Sequence, residues 1–145
     1  MAQGESVLLA GALLFLGLEG SISAEHSVAS VINDCWKGHD HAGMSACVEA
    51  RAKDAQMSLG QAERVAGDVI RASVDEAPGF PKYRREAMAG LHLASGAFSK
   101  YVASECSYEV SLAVKGNSSE DVRLACVAVP SEERAKLIRA AHPLP

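Results

Sequence analysis

Aromatic residues make up only 5% of this 145-residue chain, with a single Trp. That leaves little ring mass for a core, so something besides burial must help hold a domain of this size. An excess of basic charge is also missing, since 14 Lys and Arg stand against 18 Asp and Glu. This balance argues against a nucleic-acid-binding protein, which usually shows a basic stripe, and steers only faintly toward a basic partner. Neither a C-x-x-C nor a paired Cys/His spacing occurs, and C-x-x-C-H is absent, which argues against structural zinc and covalent haem. No paired acids, phosphate loop, metal box or nucleophile motif supports an enzyme, and nothing implies a cofactor. There is no internal repeat and no low-complexity tract, and the length suits one domain.

What is present begins with an apolar run from Val7 to Leu18, of the length of a signal-peptide core and too short to span a membrane comfortably. Small residues precede Ala24, so residues 1–24 read as a signal peptide and 25–145 as the mature domain. The segment before the run has no Lys or Arg and carries Glu5. Removal of Glu5 and Glu19 with the signal leaves 14 basic against 16 acidic residues, a net charge of −2. No cysteine follows the apolar run closely enough to take a lipid. A periplasmic or secreted protein without a membrane anchor is expected.

Beyond the signal the chain reads as all-α. Val48, Ala52, Ala55, Leu59, Ala62, Ala66 and Val69 recur at spacings of 4, 3, 4, 3, 4 and 3 within Met44 to Ser73, one face of a long helix. An Ala-rich face lets a neighbour approach closely, and a long antiparallel pairing is expected. Asp75 to Pro81, DEAPGFP, is the hairpin loop. A second helix follows from about Lys82 to Val110, with Ala87, Leu91, Ala94, Phe98 and Tyr101 on one face and Met88 and Val102 beside it. Ser118 or Ser119, ahead of Glu120 and Asp121, is the expected N-cap of a third helix. Leu124, Val127, Leu137 and Ile138 are its expected buried residues, with a kink or restart at Pro130. The fold is an antiparallel helical hairpin plus a third helix, stapled by two disulfides.

Those staples are Cys35, Cys47, Cys106 and Cys126, an even count suited to an exported domain. The hairpin brings Cys47 and Cys106 to one pole and draws Cys35 and Cys126 toward it. All three connectivities are geometrically open. Cys35 with Cys47 and Cys106 with Cys126 is the favoured pairing, because each closes a local loop and ties a connector to a helix end. On the chain-entropy model each bond stabilises by about 3 kcal/mol.

Three side chains with metal affinity crowd His39-Asp40-His41, yet adjacent ligands in one loop rarely complete a first shell, and a solvated loop is the better expectation. Trp36 beside Cys35 reads as a lid over a disulfide or, if exposed, as a binding anchor. His92 reads as a core-edge histidine. Arg84 and Arg85 with Glu86, and Glu132 and Glu133 with Arg134 and Lys136, read as exposed helix charge.

Met44-Ser-Ala-Cys47-Val-Glu-Ala-Arg, Leu59, Leu93-Ala-Ser-Gly-Ala-Phe98-Ser-Lys-Tyr101 leading to Cys106, and Arg123-Leu-Ala-Cys126 with Arg134 resemble the LprI-type lysozyme-inhibitor family over about residues 35 to 139. That family consists of small exported bacterial proteins, mostly helical. Phe98 stands where many members carry Trp, and Gly116-Asn117-Ser118 where they carry Gly-Gly-Ser. The resemblance implies a lysozyme partner, whose cleft works with two carboxylates, and an inhibitor that performs no chemistry itself. Lys115, Asn117, Ser118 and Ser119, turned at Gly116, are then the donors expected to satisfy those carboxylates. The plain alternative is that Gly116-Asn117 ends one helix and Ser118 or Ser119 caps the next. At the level of function, the alternative is a periplasmic helical binding or scaffolding protein for another envelope protein, with no inhibitory activity.

Overall fold

A computed structural model describes residues 27–72, 80–113 and 118–142. The proposed signal peptide and most of the DEAPGFP loop lie outside the described residues. Four helices follow in order: α1 Val28–Trp36, α2 His41–Ala72, α3 Phe80–Leu112 and α4 Ser119–Ala141. The chain is all-α, with no strand among the described residues.

Helix α1 is an addition to the expected three. Its Val28, Val31, Ile32 and Cys35 follow the i, i+3, i+4, i+7 pattern of a buried face. Ser27 accepts from the Ser30 amide while the Ser30 hydroxyl accepts from the Ser27 amide, closing a reciprocal cap. Gly38 ends the helix at φ 78°, a left-handed turn that side chains disfavour. Asp40 then starts α2 by accepting from the Gly43 amide at 2.8 Å.

The hairpin is antiparallel. The Ser95 hydroxyl of α3 donates to Glu63 of α2 at 2.9 Å, and Met88 lies near Gly67. The Ala stripe of α2, however, packs chiefly on α4. Ala52 and Ala55 meet Ala128 with Leu124 beside them, and Ala62 and Ala66 are buried farther along α2. Ser45 reaches Asp121 and Glu63 reaches Arg134, so α2 and α4 run parallel, each antiparallel to α3. Small side chains on both helices permit axes about 8 Å apart.

Several expectations about faces need correction. On α3 the inward line runs through Met88, Leu91, Ser95, Phe98, Val102 and Cys106, while Ala87, Ala94 and Tyr101 face outward. On α4 the buried residues are Asp121, Ala125, Cys126, Val127, Ala128, Ser131 and Ala135, and Leu137 is 71% exposed. The α4 seam uses small residues to lie close to α2, and Leu137 falls off that line. Pro130 neither stops nor restarts the helix, which runs from Ser119 to Ala141. A proline there removes one ladder hydrogen bond, but the buried residues and the Cys126 disulfide hold the helix on both sides of it.

Candidate binding site at the disulfide pole

Cys35 bonds Cys47 and Cys106 bonds Cys126, spanning 12 and 20 residues. No cysteine is free. The local pairing follows from local folding, since α1 turns back at Gly38 to lay Cys35 beside the second turn of α2. Val31, Cys35, Met44, Val48 and Ala125 form one buried cluster. Val102, Cys106, Cys126 and Val127 form another, and Val28 packs against both. Helix α1 therefore seals the pole at which both disulfides meet, and this sealing role went unread in the sequence. Met44, from the M-x-x-C segment, is one of the largest fully buried side chains.

The start of α4 is fixed at this pole. Asp121 is buried in its first turn, where the helix dipole favours a carboxylate, and accepts from the Ser45 hydroxyl at 3.0 Å. Beside it, exposed Glu120 accepts from Arg123 Nε at 2.8 Å. That hydrogen bond holds the Glu120 carboxyl below its ordinary range. Ser118 occupies the N-cap position and is exposed, but its hydroxyl makes no capping bond. Its backbone, at φ −100° and ψ 10°, departs from the extended conformation that aims a cap oxygen at the first-turn amides. Of the five candidate residues, Ser118 and Ser119 are described; Lys115, Gly116 and Asn117 lie outside the described residues.

The other residues singled out in the sequence are spread apart. His39 Nδ1 lies 3.1 Å from the Lys37 carbonyl oxygen, and Asp40 is engaged as the α2 cap. His41 meets Trp36 edge to face with ring centroids 5.7 Å apart. Trp36 is 43% exposed, so it is an edge of the pole rather than a buried lid. Among the described residues, no three His, Cys, Asp or Glu side chains converge to hold a metal ion. Asp34 is held below its ordinary range by a hydrogen bond from Lys37, with the charges of Lys37 and Arg51 adding to it.

Farther along the bundle, Arg134 is no ordinary exposed charge. Its guanidinium lies over the Phe98 ring at 4.8 Å while Nε donates to Glu63 at 3.3 Å. Ser95 donates to the other Glu63 oxygen. This half-buried cluster ties α2, α3 and α4 together, and it unites three residues from the stretches of the family resemblance, Ser95, Phe98 and Arg134, with Glu63, which sequence reasoning missed. Next to it a cleft of about 360 Å³ opens between α2 and α3, lined by Arg64, Arg71, Met88, Leu91 and His92. His92 is thus an exposed cleft residue and not a core-edge one.

No helix among the described residues is long and apolar enough to cross a membrane. Comparison with protein-family models, with curated proteins and with solved structures finds no match.

Proposed function

We infer that this chain is an exported protein of the LprI type that binds a lysozyme and blocks its cleft, with Lys115–Ser119 as the entering segment. The observation that carries the reading is the Cys106–Cys126 disulfide. It closes a covalent loop around that segment, lowering the ordering cost of binding, and leads into a helix whose exposed Ser118 hydroxyl is not spent on capping. Lys115, Asn117, Ser118 and Ser119 supply the cation, amide and hydroxyls that two cleft carboxylates accept. The contact between Phe98 and Arg134 supports the same reading, because it gives two residues of the family pattern a joint structural role. Export is supported by the two disulfides, which persist in oxidising compartments, and by the signal-like segment 1–24.

The test is the triple substitution Lys115→Ala, Asn117→Ala and Ser118→Ala, measured against an inhibited lysozyme. Inhibition should weaken at least about tenfold, the equivalent of one good charge-assisted contact, with helix content and both disulfides intact. Unchanged inhibition removes the segment from the mechanism. A wild-type protein that inhibits no lysozyme supports instead a helical binding or scaffolding protein for another envelope component.

A further inference from the structure

Helix α3 carries a second seam that its own fold does not bury. Tyr83, Ala87, Gly90, Ala94, Ala97, Tyr101, Ser104 and Tyr108 recur at spacings of 4, 3, 4, 3, 4, 3 and 4, and every one of them is exposed. At 3.6 residues per turn this line lies roughly 100° around the helix from the buried one. It contains all three tyrosines of the protein, 65%, 57% and 56% exposed at Tyr83, Tyr101 and Tyr108.

The repeat is that of a coiled-coil seam, and its spacing is the same in both directions. About a midpoint between Ser95 and Gly96, Tyr83 mirrors Tyr108, Ala87 mirrors Ser104, Gly90 mirrors Tyr101 and Ala94 mirrors Ala97. A two-fold axis through that midpoint sets one α3 antiparallel to another with every pair satisfied twice, as an isologous interface requires. Each Tyr101 ring falls on the partner's Gly90, where a Cβ would meet nothing within 4 Å of this chain. Four small residues at the centre let the helices close, and the tyrosines flank them.

Charge does not oppose this register. Glu86 and Lys100 share one edge of the seam, and Glu105, which the axis sets level with the partner's Glu86, lies on the other edge, so the like charges do not face each other. The exposed parts of three tyrosine rings bring roughly 350 Å² per copy. With exposed Leu93 and the exposed small residues of the seam added from each copy, the total reaches the order of 1,000 Å², where specific interfaces begin.

We propose that the outer face of α3 is a homodimer interface, in which two copies pair antiparallel about the Ser95–Gly96 midpoint with Tyr101 of each seated on Gly90 of the other. The test is sedimentation equilibrium of the oxidised protein as its host secretes it, its chain mass first fixed by mass spectrometry. Twice that mass is expected at about 100 µM, above a micromolar dissociation constant. Gly90→Arg fills open space in the single chain and should return it to one chain mass with unchanged helix content. Tyr101→Ser should weaken the dimer at least about tenfold. A single-chain mass for the wild type overturns the proposal, as does a dimer indifferent to both substitutions.

Discussion

Arg134 lies over the Phe98 ring, its guanidinium carbon 4.8 Å from the ring centroid, and reaches Glu63 with the same group. The two partners sit on different helices, so one cation fixes α4 against both α2 and α3. Glu63 and Arg134 side chains are only 21% and 20% exposed, which lifts the pair above the near-zero worth of a surface ion pair. Arg134→Met should cost about 1–3 kcal/mol, because it leaves the Glu63 carboxylate half-buried with only the Ser95 hydroxyl. Arg134→Lys should recover part of this but not the stacking. Urea unfolding of a Phe98→Leu and Arg134→Met double-mutant cycle should return a coupling near 0.5–1 kcal/mol; additive effects would mean that the ring and the cation do not interact.

The two disulfides carry stability that small side chains alone do not supply. Cys106→Ser with Cys126→Ser should lower stability by about 3 kcal/mol, a shift of about 10–15 °C in Tm. Peptide mapping without reduction should recover Cys35 with Cys47 and Cys106 with Cys126, and a Cys47–Cys106 peptide would contradict the arrangement of the pole.

Acid should weaken the fold in a defined window. Glu120 and Asp34 titrate below their ordinary values of 4.5 and 3.8 when folded. A carboxylate whose pKa is lower folded than unfolded stabilises the fold above the unfolded value, and that contribution is lost as pH falls through the folded one. Urea midpoints should therefore drop as pH falls below about 4.5, and Glu120→Gln should shallow that drop without changing the midpoint near neutrality by more than a surface ion pair is worth. Identical acid limbs in the two proteins would contradict the Glu120–Arg123 hydrogen bond.

Glycine substitutions should go in opposite directions at two positions. Gly38→Ala meets no atom within 4 Å but forces a side chain to φ 78°, and should cost about 1–2 kcal/mol. Gly96→Ala, in open space within α3, should stabilise by about 0.5–1 kcal/mol. Thermal unfolding of the two variants checks both signs.

The α2 stripe was legible because seven positions share one periodicity, and Val48, Ala52, Ala55, Ala62 and Ala66 are all buried. The disulfide pairing was legible because each bond closes a local loop, although helix polarity alone left all three connectivities open. Helix α1 escaped because nine residues rich in β-branched side chains resemble a connector, although Ser27 and Ser30 and the Val28–Cys35 pattern carried its signal. The faces of α3 were misread because that helix has two apolar lines, and periodicity alone does not say which meets the bundle. On α4, weight placed on large side chains pointed to Leu137, while the close approach to α2 selected Ala125, Ala128, Ser131 and Ala135. The cluster of Glu63, Ser95, Phe98 and Arg134 draws on three helices and becomes visible only once they are packed. The candidate segment Lys115–Ser119 was legible as a break between helices bracketed by Cys106 and Cys126 and by family resemblance, with the unused Ser118 hydroxyl added by the fold.

The most direct measurement is the rate at which purified lysozymes of several classes clear bacterial cell walls in the presence of increasing amounts of the oxidised chain from Glu25 onward. Saturable inhibition of one class, lost when the disulfides are reduced, is the predicted result. Clearing that proceeds unchanged for every class at the highest concentration would contradict the proposal that the chain inhibits a lysozyme.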